Sequence, residues 1–164
     1  MINEIKIKET FVLAVKNHQN NNFKEAENLY EEILKINPNH LESIFRLGSL
    51  SAQVKNFKKA TQLLNKAIEI EPEYASAHAW LAWCYFHQVP VKQLSPNDGF
   101  PKALTAAQRA INIDENGIKL LTIKGYIPAP NTTGHALFCS ALRADSTALS
   151  RNILLTLTSR SERW

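Results

Sequence analysis

Residues 41–72 read LESIFRLGSLSAQVKNFKKATQLLNKAIEIEP. Two helical patterns lie in this stretch, with a break between them. The first covers 41–53 and places Ile44, Leu47, Leu50 and Val54 three or four residues apart. The second covers 57–70, with Ala60, Leu63, Leu64, Ala67 and Ile68 at the same period. A 3.6-residue period puts each set on one face of its helix. Neither helix is apolar all round, so each needs a neighbour against its stripe.

The same pattern stands upstream. When 7–40 is laid over 41–74, Leu13 falls on Leu47, Ala14 on Gly48 and Phe23 on Phe57. Ala26 falls on Ala60, Tyr30 on Leu64, Ile33 on Ala67 and Pro38 on Pro72. Small residues recur where two helices must approach closely, and a proline ends each unit. The Asn20-Asn21-Asn22 triplet reads as a turn, because Asn tolerates left-handed geometry. Asn39 and Glu42 read as a capping box for the next helix. Glu25, Glu27, Glu31 and Glu32, beside Lys24 and Lys35, read as a solvated face with pairs four residues apart.

Downstream, a third unit opens at Ala75 with Leu81, Ala82 and Tyr85 in first-helix positions. Its small second-helix residue, due at position 94, comes at Ala103, nine residues late. Ala107 and Ala110 then restore the pattern. Three prolines and Asn97-Asp98-Gly99 make VPVKQLSPNDGFP read as an inserted loop, over about 89–101.

This register resembles the tetratricopeptide repeat, a 34-residue helix–turn–helix unit. The likeness covers about residues 7–116. It implies an all-α fold: a right-handed superhelical solenoid of antiparallel helix hairpins with an irregular C-terminal segment. Repeats are expected at 7–40, 41–74 and 75–116, within a domain over 1–116. The third unit is similar to repeats attached to bacterial nucleotide cyclases and transcription regulators. The first two are similar to repeats that precede some sugar transferases.

Beyond 116 the pattern degenerates. Residues 118–125 begin like a fourth unit, but Pro128-Ala129-Pro130-Asn131 follows almost at once. His135 to Leu142 resembles another first helix that lacks its second. From Tyr126 onward there is no lysine. Residues 117–164 therefore read as a degenerate or truncated repeat with an irregular helical tail, or as the product of a deletion or frame change. Ser146, Leu149, Ile153 and Leu157 fit a capping helix at the end of the stack, while the β-branched and Thr-rich section from Ile153 to Thr158 reads equally as a strand.

The resemblance implies a concave groove lined by first helices. Carried over, its positions are Lys8, Phe11, Val15, His18 and Gln19; then Glu42, Phe45, Ser49, Ala52 and Gln53; then Ser76, Ala79, Trp83, Phe86 and His87. Phe11, Phe45, Trp83 and Phe86 would anchor apolar side chains of a bound segment. Some relatives clamp the carboxylate tails of chaperones with Lys, Asn and Arg. Here those places hold Phe11, Val15, Ser49, Ala79 and Trp83, so no such clamp is expected. The expected function is a non-catalytic protein–protein interaction module. The alternative is a regulatory repeat fragment of a larger enzyme, such as a nucleotide cyclase or glycosyltransferase.

Composition narrows the classes. The 164 residues carry 19 Lys and Arg against 15 Asp and Glu, interspersed, which is a poor footprint for nucleic acid. Five glycines never cluster into a phosphate loop. Cys84 and His87 lie one turn apart, but no third group follows to orient them. No metal or cofactor is expected, and no catalytic residue. Two cysteines make no disulfide framework. The N-terminus MINEIKIKETF has no long apolar core, and no run of about 18 apolar residues occurs. Asn131-Thr132-Thr133 matches a glycosylation sequon by chance. A cytoplasmic protein is expected.

Overall fold

The computed structural model describes residues 2–114. The readings placed beyond residue 114 lie outside them. Six helices follow one another: α1 Ile2–Gln19, α2 Phe23–Ile36, α3 Leu41–Gln53, α4 Phe57–Ile70, α5 Ala75–Gln88 and α6 Pro96–Ile113. No strand occurs among the described residues. The chain divides between Glu73 and Tyr74 into two units.

In the first unit α1 packs on α2, α2 on α3 and α3 on α4, two hairpins in tandem. Both hairpin turns have one design. Asn21 and Lys55 adopt left-handed backbone, at φ 61° and 62°. Asn21 N–H bonds the His18 carbonyl and Asn22 N–H bonds the Asn17 carbonyl. Lys55 and Asn56 repeat this with Ala52 and Ser51. These are Schellman ends, which satisfy the last carbonyls of a helix. Asn56 also caps α4, its side chain accepting from Lys59 N–H.

The small residues of the repeat sit where expected. Ala14, Gly48, Ala26 and Ala60 are buried. A Cβ on Gly48 would stand 3.1 Å from Leu64 Cγ, so α3 and α4 approach at van der Waals limits. Ala14, Ala26, Tyr30, Leu47 and Leu50 form the core of the unit, with Phe11, Phe23 and Leu63 packed against it. Leu47 is buried but its register mate Leu13 is 48% exposed. Leu47 has the first hairpin beside it, whereas no described helix covers that side of α1.

Two local readings need correction. The cap of α3 is His40, not Asn39; its Nδ1 accepts from Ser43 N–H at 3.3 Å. Asn39 stands one residue too early, and its own N–H bonds the Asn37 side chain. Glu27 and Glu31 pair with Lys59 of α4, at 2.6 and 2.7 Å, rather than within their helix. Glu32 pairs with Lys6 of α1 at 2.9 Å. These carboxylates tie α2 to α4 and to α1 instead of decorating one face.

In the second unit the described residues form the hairpin of α5 and α6. Lys92 takes the left-handed place, φ 58°, and the Schellman bonds recur from Lys92 to Val89 and Gln93 to Gln88. The stretch expected as a loop over 89–101 is helical from Pro96 onward. Ser95 caps α6: its Oγ accepts from Asp98 N–H at 3.2 Å and donates to Asp98 Oδ2 at 2.6 Å. Proline at the first helical position has no N–H to leave unbonded there. Much of the extra sequence is thus an added turn of helix. Phe86, Val89, Phe100 and Ala103 form the hydrophobic cluster that holds it. Gly99 is required by closeness, since a Cβ there would lie 2.3 Å from Val89 Cγ2.

Candidate protein-binding face

The expected groove positions fall into three groups. Lys8, Gln19, Glu42 and Gln53 are exposed. Phe11, Val15, His18, Ser76 and His87 are half-buried. Phe45, Ser49, Ala52, Ala79, Trp83 and Phe86 are buried. Three of the four aromatic anchors inferred from the sequence therefore offer little accessible surface. The Phe45 ring lies 6.0 Å from the Arg46 guanidinium. Ser49 turns its hydroxyl inward, donating to the Arg46 carbonyl at 2.9 Å.

In the first unit α1 and α3 bring the open positions together. Phe11 packs edge-on against His40, with ring centroids 5.5 Å apart, and tilts against Tyr30 at 6.1 Å. His18 lies among Phe23, Tyr30 and Gln53. Gln53 Nε2 is 3.1 Å from His18 Nε2. Burial lowers the His18 pKa from 6.5, the Gln53 hydrogen bond opposes this, and the Arg46 charge lowers it further. Burial raises the Tyr30 hydroxyl to about 12, against a smaller downward pull from Arg46. Both groups are neutral at neutral pH. Phe11 and Val15 are half-buried and packed against the core of the unit, while Lys8, Gln19, Glu42 and Gln53 are exposed. Such a surface offers apolar contact beside exposed polar groups. His40 and Arg46 belong to this neighbourhood and were missed by position-by-position transfer. His40 precedes its helix, and Arg46 falls between the transferred positions.

In the second unit the aromatic side chains pack on one another. The Trp83 and His87 rings stack at 4.1 Å, and Trp80 meets Trp83 edge-on at 5.7 Å. His87 Nδ1 donates to the Trp83 carbonyl at 2.9 Å. Burial pushes the Cys84 thiol up to about 12, so it holds its proton and is no nucleophile. His87 is turned to a carbonyl, not to Cys84. Among the described residues no three His, Cys, Asp or Glu side chains gather as metal ligands would. No described helix is long and apolar enough to cross a membrane.

The family model of the tetratricopeptide repeat matches residues 18–66. No curated protein matches the sequence. Among solved structures, a mutant of the Thermobaculum terrenum O-GlcNAc transferase superposes with TM-score 0.62 and 18% identity. That match covers 87% of this chain and only 27% of the transferase chain. The TPR2B domain of yeast Sti1, in a complex with pHsp70, gives TM-score 0.61 and 18% identity, covering 85% of this chain and 97% of that one. The first TPR of Spaghetti (RPAP3), bound to an HSP90 peptide, gives 0.59 and 15%, covering 77% and 94%. Identities this low establish the fold alone. They do not single out the cyclase-type resemblance of the third unit. Residues 18–66 are thus matched as tetratricopeptide repeat, and the hairpins, recurring Schellman turns and alanine crossings of the described residues have the fold of tetratricopeptide-repeat proteins.

Proposed function

We propose that this chain is a non-catalytic interaction module that holds a protein or peptide segment on the first-helix face of its repeats. What supports the reading is that the carried-over positions of α1 and α3 include half-buried Phe11 and Val15 and exposed Lys8, Glu42 and Gln53, with Gln53 and His18 joining the two helices. Two proteins of the same fold are seen in complex, one with pHsp70 and one with an HSP90 peptide, which supports a binding role. The ligand here differs in chemistry. Positions that would need Lys, Asn or Arg to clamp a terminal carboxylate hold Phe11, Val15 and Ser49 in this unit. A segment with small apolar side chains and flanking polar groups suits the face better. Ser76, Ala79, Trp83 and Phe86 belong to the corresponding face of α5, with Ser76 the most open.

The test is selection of binders from a displayed library of random peptides on the immobilised full-length chain. The selected peptide should lose affinity for Val15→Ser and for the Glu42→Ala, Gln53→Ala double variant, each checked for native helix content. Binding that neither variant weakens would place the site elsewhere.

A second reading is that the chain is a regulatory repeat segment of a sugar transferase system. The superposition on part of an O-GlcNAc transferase favours it. It predicts that the chain binds a separate catalytic domain, and loss of that binding in the same variants would unite the two readings.

A further inference from the structure

A histidine ring changes charge near neutrality, and the Gln53 amide beside His18 has two unlike ends. Side chains from two other helices surround the His18 ring. Phe23 and Tyr30 of α2 meet it edge-on, at 6.0 and 6.1 Å. Gln53 of α3 reaches Nε2 at 3.1 Å. The Arg46 charge of α3 acts on the ring, and no carboxylate among the described residues does. The Tyr30 hydroxyl lies 3.5 Å from Nδ1 and keeps its own proton, burial having raised it to about 12.

With the ring neutral, Gln53 donates to Nε2. Its oxygen Oε1 is then left to solvent, because Gln53 is exposed and makes no other hydrogen bond among the described residues. With the ring protonated, both ring nitrogens are donors, and an NH2 cannot face Nε2–H. Turning the amide over brings Oε1 to Nε2–H and sends the NH2 outward. The torsion involved is broad and roughly two-fold, so the turn costs little. Nδ1–H points at the Tyr30 oxygen in both states, so the ring need not move. The effect of the proton is delivered to the exposed end of α3.

From this geometry we infer that the His18–Gln53 pair is a proton-driven selector on the proposed binding face. A neutral His18 makes Gln53 an acceptor for an N–H of the bound segment, and a charged His18 makes it a donor to a carbonyl or carboxylate. The inference rests on the reading of that face as a peptide site. Burial first, and then Arg46, hold the His18 pKa below 6.5 against the Gln53 bond, so the accepting state prevails at neutral pH. A segment chosen by the neutral face is released as pH falls, since its N–H then meets the Gln53 NH2. The loss of one such hydrogen bond corresponds to roughly two- to tenfold in affinity.

The experiment has two arms, both on the full-length chain from about pH 8 to about pH 5, with circular dichroism confirming that the helices persist. In the first, without ligand, nuclear Overhauser contacts between the Gln53 NH2 and the His18 ring protons are followed beside the titration of the ring. They should be present at neutral pH and vanish at the ring's midpoint. A ring that stays neutral throughout, or contacts that outlast its protonation, overturns the inference. In the second, the probe is a peptide selected at neutral pH from the displayed random library. Its affinity for the natural chain should fall roughly two- to tenfold across the ring's midpoint. For His18→Asn and for Gln53→Met it should stay level, whatever its value at neutral pH. Equal falls in all three chains, or none in the natural one, overturn the inference. The first arm needs no binding, so its failure is separate from failure of the peptide reading. A probe that maps away from α1 and α3 overturns that reading, and the selector with it.

Discussion

Gln53 Nε2 stands 3.1 Å from His18 Nε2 and ties the C-terminal ends of α1 and α3 together. On the other side of the ring, Nδ1 lies 3.5 Å from the Tyr30 hydroxyl. A neutral ring satisfies both: the Gln53 amide donates to Nε2, and Nδ1–H points at the Tyr30 oxygen. Burial first, then the Arg46 charge, lowers the His18 pKa from 6.5 despite the Gln53 bond. The unfolded chain therefore takes up the proton first, and stability falls as pH drops through 6.5. The penalty is complete below the folded pKa. Thermal melts at neutral and mildly acidic pH should show a larger loss for the natural chain than for His18→Asn. Equal losses would contradict this account of the pair.

Lys59 Nζ touches Glu27 Oε1 at 2.6 Å and Glu31 Oε1 at 2.7 Å, joining α4 to α2. Burial alone would lower the Lys59 pKa, but the hydrogen bonds and charges of the two glutamates outweigh it and raise it. Its charge holds throughout the neutral range. The group is partly solvent-screened, so Lys59→Met should cost only about 0.5–1.5 kcal/mol at low salt. The difference should shrink in molar salt. A cost independent of salt would mean that packing, not charge, is what was lost.

Lys55 occupies the left-handed position that Asn21 fills in the preceding turn. A lysine there carries the steric penalty of its Cβ, while Asn is tolerated. Lys55→Asn should raise stability by about 0.5–1 kcal/mol, measured by chemical denaturation. A loss of stability would show that the Lys55 side chain contributes more than its backbone costs.

Gly99 lies in the added turn of α6, where an alanine would normally favour the helix by about 1 kcal/mol. Its Cβ would meet Val89 Cγ2 at 2.3 Å, and valine has little rotamer freedom to yield. Gly99→Ala should therefore destabilise by about 1–3 kcal/mol, and Val89→Ala added to it should recover part of the loss. A higher melting temperature for the single variant would refute the close approach.

The hairpins were legible in the sequence because their signal is local and repeated. Ala26, Ala60 and Ala103 are buried at equivalent crossings even though the third comes nine residues late. The helix start at Pro96 was obscured by its prolines. Ser95 and Asp98 held the capping signal, but proline density outweighed it. The Lys59 clasp was invisible because its partners lie 28 and 32 residues away. Phe45, Trp83 and Phe86 illustrate the limit for the site. Their positions follow from the repeat register, but their burial is set by tertiary packing, which the register does not encode.

The most direct test of the binding account is amide chemical-shift mapping of the full-length chain on titration with a selected peptide. Shifts should concentrate on α1 and α3, at Lys8, Phe11, Val15, Glu42 and Gln53, while Lys24, Asn28, Lys58 and Gln62 on the outward faces of α2 and α4 stay unmoved. Saturable shifts centred on α2 and α4, with α1 and α3 silent, would contradict it.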